Sequence, residues 1–121
     1  MTGARRDRGV ATAELAVALP ALFLVIMAGM TAISVLTAQL RCVDAAREAA
    51  RAAARGETAA IVRSSAAGAG PAGATVAVTT DAESVTVTVS ARSGGGRGLL
   101  PSFRVAAAAV ARREPEGTGV P

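Results

Sequence analysis

The sequence predicts an α+β protein: a long N-terminal helix, transmembrane below and amphipathic above, followed by a small antiparallel sheet of two to three strands. Three observations predict it. Leu15–Ala38, LAVALPALFLVIMAGMTAISVLTA, is 24 residues without a charge. The next stretch, QLRCVDAAREAARAAARGE, keeps a helical period with no breaker before Gly56. Beyond Ala74 the period drops to two in segments rich in Val and Thr. The chain has 121 residues, room for one domain at most, and only two aromatics, Phe23 and Phe103. Its apolar half is mostly Ala and Val, so it cannot build a large core from big side chains.

Five segments follow in order: a leader at 1–9, a transmembrane and extended amphipathic helix at 10–56, a short helix and Gly/Pro linker at 57–73, a β region at 74–113, and a tail at 114–121 that reads as disordered. The apolar run, as a helix, measures about 36 Å, enough to cross a ~30 Å hydrocarbon core with some tilt. A secretory signal has a shorter apolar region and ends in a cleavage loop, whereas this run continues into more helix. A twin-Arg signal does not fit either, because ARRDRGV lacks apolar residues just after the Arg pair. A buried helix of a soluble protein is the alternative. Pro20, inside the run, removes one backbone hydrogen bond, which membrane helices tolerate.

Above the run, Arg41, Asp44, Arg47, Glu48, Arg51 and Arg55 fall within an arc of about 120° at 100° per residue. Cys42, Ala45, Ala46, Ala49, Ala52 and Ala53 form the opposite, smooth arc, suited to close approach by another helix or a sheet. Asp44–Arg47 and Glu48–Arg51 have i,i+3 spacing for ion pairs. The helix is expected from about Ala11 to Arg55 with Gly56 as its C-cap. Next, ETAAIVRSSAAG suits a short helix, and AGAGPAGA (67–74) a flexible linker. ATVAVTT (74–80) and SVTVTVSAR (84–92), separated by DAE, read as a hairpin in which Val85, Val87 and Val89 face inward and Thr86, Thr88 and Ser90 face water. Residues 102–112 fit either helix or strand. Alanine favours helix. Pro101 and the alternation of Phe103, Val105, Ala107 and Ala109 favour strand, and a two-stranded hairpin alone is marginal in water.

The net charge is +4, with thirteen Arg and no Lys. Three of those arginines, Arg5, Arg6 and Arg8, stand against Asp7 ahead of Gly9, and ten Arg with eight acids after Gly9 leave only +2 for the rest. No basic cluster is interleaved with aromatics for base stacking, so a nucleic-acid partner is not expected. The leader charge reads instead as a topology signal holding the N-terminus in the cytoplasm and sending the remainder outside. With no His and one Cys, the sequence offers no general base of the common kind, no metal constellation and no cofactor motif; the expectation is a non-enzyme. Cys42 has no partner in the chain and reads as a small hydrophobe on the Ala face, with an intermolecular disulfide as the alternative.

RRDRG-VATAE combines a basic leader, a glycine, four residues, a glutamate and then a membrane-length helix. It resembles the class III leader of type IV pilins and pseudopilins. TAELAVALP, the RCVDAAREAARAAARGE helix, the Val/Thr strands and the terminal ARRE look closest to the TadE-like minor pilins of tight-adherence (Flp-type) pilus systems. Major pilins of those systems have little beyond the helix, so the β region points to a minor pilin or pseudopilin. The resemblance implies a prepilin peptidase that cuts between Gly9 and Val10. It also implies a role for Glu14, then the fifth mature residue, in assembly with other pilin subunits and the inner-membrane assembly platform. The expected location is the cell membrane, single-pass, with a surface pilus as a later destination. An uncleaved membrane anchor or scaffold, or a tethered extracytoplasmic binding module, are the alternatives.

Overall fold

The computed structural model describes residues 3–95 and 98–113. The tail expected at 114–121 lies outside the described residues. Two helices precede a three-stranded sheet: α1 (Gly3–Ala54), α2 (Ala59–Ala69), β1 (Thr75–Thr80), β2 (Ser84–Gly94) and β3 (Ser102–Arg112). The chain divides into two compact units, Met1–Ile33 and Ser34–Pro121.

α1 is 52 residues, about 78 Å at 1.5 Å per residue. It starts at Gly3 rather than near Ala11, so the described residues of the expected leader are helical too. Ala and Arg are strong helix formers, and a single glycine at position 9 lowers helix stability without ending the helix. The helix also continues through Pro20. Within the apolar run, the Thr31 hydroxyl donates to the Met27 carbonyl at 2.8 Å, giving its own polar group a partner where water is absent. The C-terminus is a Schellman motif. Gly56, at φ 79°, donates its N–H to the Ala53 carbonyl (3.0 Å) and Glu57 donates to Ala52 (3.2 Å). The positive φ is why glycine is needed at 56.

In the C-terminal unit the sheet runs β1-β2-β3, antiparallel throughout. Thr75 pairs with Ser90 and Thr80 with Val85 across the first hairpin; Ser84 pairs with Arg112 and Gly94 with Ser102 across the second. This register places Val76, Val78, Val85, Val87, Val89, Ala91, Val105, Ala107 and Ala109 on one face. They share one hydrophobic cluster with Ala38, Cys42, Ala45, Ala46, Ala49, Ala52 and Ala53 of α1 and Val62 and Ala66 of α2. The smooth arc of α1 is therefore covered by the chain's own sheet. Ala45, Ala49, Ala52, Val87 and Val89 have no exposed surface at all.

Residues 102–112 are strand, as alternation predicts and alanine content does not. β2 presents a valine ladder that needs a neighbour, and pairing along eleven residues outweighs the ~1 kcal/mol spread of intrinsic propensity. Phe103 keeps the inward side of the alternation, but at the end of the sheet it is only partly covered and is 46% exposed. The expected linker is shorter than its composition suggests, since α2 runs to Ala69 and the remaining turn is closed by an Ala74 N–H bond to the Pro71 carbonyl (3.1 Å). Glu48 and Arg51 pair at 4.0 Å across solvent, but among the described residues no ion pair joins Asp44 and Arg47. Both side chains are solvated there, and such exposed pairs gain little.

Ala49→Leu tests the packing of helix on sheet. Three added carbons have no room beside a fully buried Ala49, and overpacking of this kind costs about 1–3 kcal/mol. Thermal or denaturant unfolding in detergent should show that loss, while Ala54→Leu, on the exposed side, should unfold like the parent protein.

Candidate functional site

The residues expected to form the leader and its cleavage site lie on the first turns of α1. Arg5, Arg6, Arg8, Gly9, Val10 and Glu14 are all exposed. Val10 and Glu14 are four residues apart and therefore share a helix face. The Thr12 hydroxyl donates to the Arg8 carbonyl at 2.8 Å, a bond of the i−4 type that bends helices, one peptide before the Gly9–Val10 bond.

Gly9 has no structural reason to be glycine. A Cβ built there meets nothing within 4 Å, and its φ is not positive. Inside a helix, glycine is about 0.5–1 kcal/mol worse than alanine. The residue thus weakens the helix at one place and fills no packing need within the chain. Glu14 forms no ion pair among the described residues. Beyond it, Leu15, Val17, Leu19, Leu22, Phe23, Leu24, Val25 and Ile26 are each more than half exposed. The most apolar 18-residue window has mean hydropathy 2.3 and none of it is buried. A soluble core helix would be covered; this one is long and apolar enough to cross a membrane and is compatible with single-pass anchoring.

Cys42 sits in the C-terminal unit with no exposed surface, and burial pushes its thiol pKa up. Both effects suppress thiolate reactivity, so the small-hydrophobe expectation holds and an intermolecular disulfide does not fit the folded state.

The sheet also assembles a charged pair that the sequence does not advertise. Arg92 and Arg104 are twelve residues apart in the chain but directly opposite in the β2–β3 register. With Ala72, Gly73, Thr75, Ser90 and Ala91 they line an open cavity of about 310 Å³. Their proximity depends on the register of β3, which composition alone leaves open. The signal available in advance was the short loop that forces residues 93 and 103 to face each other.

Fold and N-terminal sequence together define a class: an α+β protein with a membrane-length helix that begins with a basic stretch. The TadE-like protein family matches residues 9–51, starting at Gly9 itself. The chain is 46% identical over 110 residues to the apoptosis inhibitor Rv3655c of Mycobacterium tuberculosis, which spans 88% of this chain and 79% of that protein. The chain belongs to the TadE-like family, whose members are pilus-associated structural proteins. No solved structure gives a significant match.

Proposed function

We propose that the protein is a minor pilin or pseudopilin of a tight-adherence type IV pilus, processed by a prepilin peptidase between Gly9 and Val10. The observation that carries this is Gly9: a glycine that weakens a helix, meets no neighbour and stands five residues before a membrane-edge carboxylate. A peptidase must draw an extended backbone into its site. A glycine in the first turns of an exposed helix makes local unwinding easier and leaves the approach open. Cleavage would free a positive amine on Val10. Glu14 of a neighbouring subunit could then pair with that amine in a low-dielectric helix bundle, offsetting a burial cost of roughly 2.5–3.5 kcal/mol. The same pairing would set axial register between subunits, as buried polar groups do in coiled coils. Other pilin subunits, the inner-membrane assembly platform and membrane lipid are the partners of this mechanism.

A second proposal rests on the relative's name, which attributes inhibition of apoptosis to the M. tuberculosis protein. In that case the C-terminal unit acts as an effector and helix-to-helix assembly is dispensable. The Glu14 experiment below separates the two.

Gly9→Val should abolish processing, leaving the full-length chain in the membrane. Gly9→Ala is the folding control, since the added methyl meets nothing within 4 Å. Mass spectrometry of the purified chain reads the start site, and a Val10 start at parental levels in Gly9→Val would remove the peptidase from the proposal. Glu14→Gln should still start at Val10 but be missing from sheared pilus fractions. Normal incorporation would show that the charge pair is unnecessary, whereas absence of the parental chain itself from those fractions would remove the pilin proposal and leave the effector proposal standing.

Topology is set by Arg5, Arg6 and Arg8, with the N-terminus in the cytoplasm. A periplasm-active reporter fused after Pro121 should therefore be active, and replacing the three arginines by glutamine should reduce that activity. A reporter active only in the cytoplasm would reverse the orientation.

A further inference from the structure

We infer that the β2–β3 end of the C-terminal unit is a lipid-docking surface, in which Arg92 and Arg104 take the phosphates of anionic phospholipids while Leu99 and Phe103 enter the acyl boundary. This rests on the proposal that α1 spans a bilayer.

Charge is the first ground. Like charges directly opposite on neighbouring strands are destabilising, and among the described residues neither arginine has an acidic partner. An anion between them removes the repulsion. Guanidinium groups bind phosphate through two parallel N–H···O bonds, and the Thr75 and Ser90 hydroxyls line the same cavity as further donors.

The second ground is apolar exposure at the same end. Leu99, in the loop between β2 and β3, is 88% exposed, the most exposed large hydrophobic side chain described; Phe103 is 46% exposed. Leu36 and Leu40 of α1, in the same unit, are 64% and 65% exposed. The arginines lie on the solvent face of the sheet and Phe103 on its helix-facing side. This end of the sheet therefore carries guanidinium groups on one face and apolar side chains on the other face and at the loop, a composition found at the headgroup level.

Position is the third. Two hydrogen bonds fix the height of the arginines along α1. The Ser93 hydroxyl donates to the Ser34 carbonyl (3.2 Å), and the Gln39 side-chain amide donates to the Ala106 carbonyl (2.9 Å). Ser93 pairs with Phe103, so Arg104 lies between Phe103, level with Ser34, and Ala106, level with Gln39. The uncharged run ends at Leu40, one residue beyond the Gln39 level and just before Arg41. The arginine pair is therefore level with the last turn of the apolar segment, where a spanning helix leaves the hydrocarbon and meets phosphates.

The chain contains no Trp, so Leu99→Trp supplies a single fluorescent reporter at an exposed position. The full chain carrying it is reconstituted into vesicles of phosphatidylcholine with 30 mol% phosphatidylglycerol, using lipids brominated near the headgroup end of the acyl chain as quenchers. Emission should shift to the blue and be quenched. Each of Arg92→Gln and Arg104→Gln should lower the docked-to-undocked ratio roughly fivefold, the variant carrying both substitutions should lower it further, and pure phosphatidylcholine should lower it as far as that double variant does. Millimolar inorganic phosphate should leave quenching unchanged. Its abolition by phosphate would identify a free-anion site and overturn the lipid assignment. Phe23→Trp, in the middle of the apolar run, is the reference. Quenched Phe23→Trp with unquenched Leu99→Trp overturns the docking surface alone. Unquenched Phe23→Trp overturns the spanning helix and the docking surface with it. Quenching of Leu99→Trp that ignores lipid charge and the arginines overturns the phosphate role.

Discussion

The alanine face of α1 against the valine face of the sheet is the interaction on which the C-terminal unit depends. Neither element is stable alone. A three-stranded sheet with β-branched residues on one face needs a cover, and an isolated Ala/Arg helix in water is held mainly by local propensity. Because α1 contributes almost nothing but methyl groups, its partners must supply the volume, which Val85, Val87, Val89 and Val105 of the sheet and Val62 of α2 do. Everything polar is left outside: among the described residues no polar or charged side chain is buried. The hairpin turn, the Schellman cap at Gly56 and the turn at 70–74 follow from bringing two helices and three strands around that one contact.

The glycines divide by what they do. Gly56 and Gly94 serve the fold. Gly94 has φ 91°, and a Cβ on it would lie 2.7 Å from the Pro101 carbonyl oxygen, so the second hairpin closes only with glycine there. Gly9 serves nothing within the chain. The fold would exchange Gly9 for alanine without penalty, and the proposed peptidase processing is what would account for its glycine.

Much of this was legible in residue order because the signals are local. The period of two in SVTVTVSAR and the opposition of charged and small arcs over Arg41–Arg55 each depend on a few consecutive side chains, and both emerge as expected. Residues 102–112 were harder, since alanine is neutral between burial patterns and only its context in β2 decides. The start of α1 was missed because Gly9 was read as a boundary, whereas a lone glycine is a weak one. Asp44 and Arg47 have the spacing for a pair, but sequence spacing does not register how well water satisfies both. Gly9, Val10 and Glu14 were visible as a motif. Arg92 and Arg104 were not, because a cross-strand pair exists only once the register of a non-local strand is fixed.

The alanine face has an evolutionary consequence. Ala45, Ala46, Ala49, Ala52 and Ala53 are already the smallest side chains that carry a Cβ. A core of leucines can drift toward smaller residues and refill through a neighbour's change. Here substitution has only two directions: enlargement, which the fully buried positions reject, or glycine, which weakens the helix. Descendants of this sequence should therefore vary freely on the arginine-rich arc and at the solvent-facing threonines while the five alanines stay fixed, so that the least chemically distinctive residues in the chain diverge most slowly.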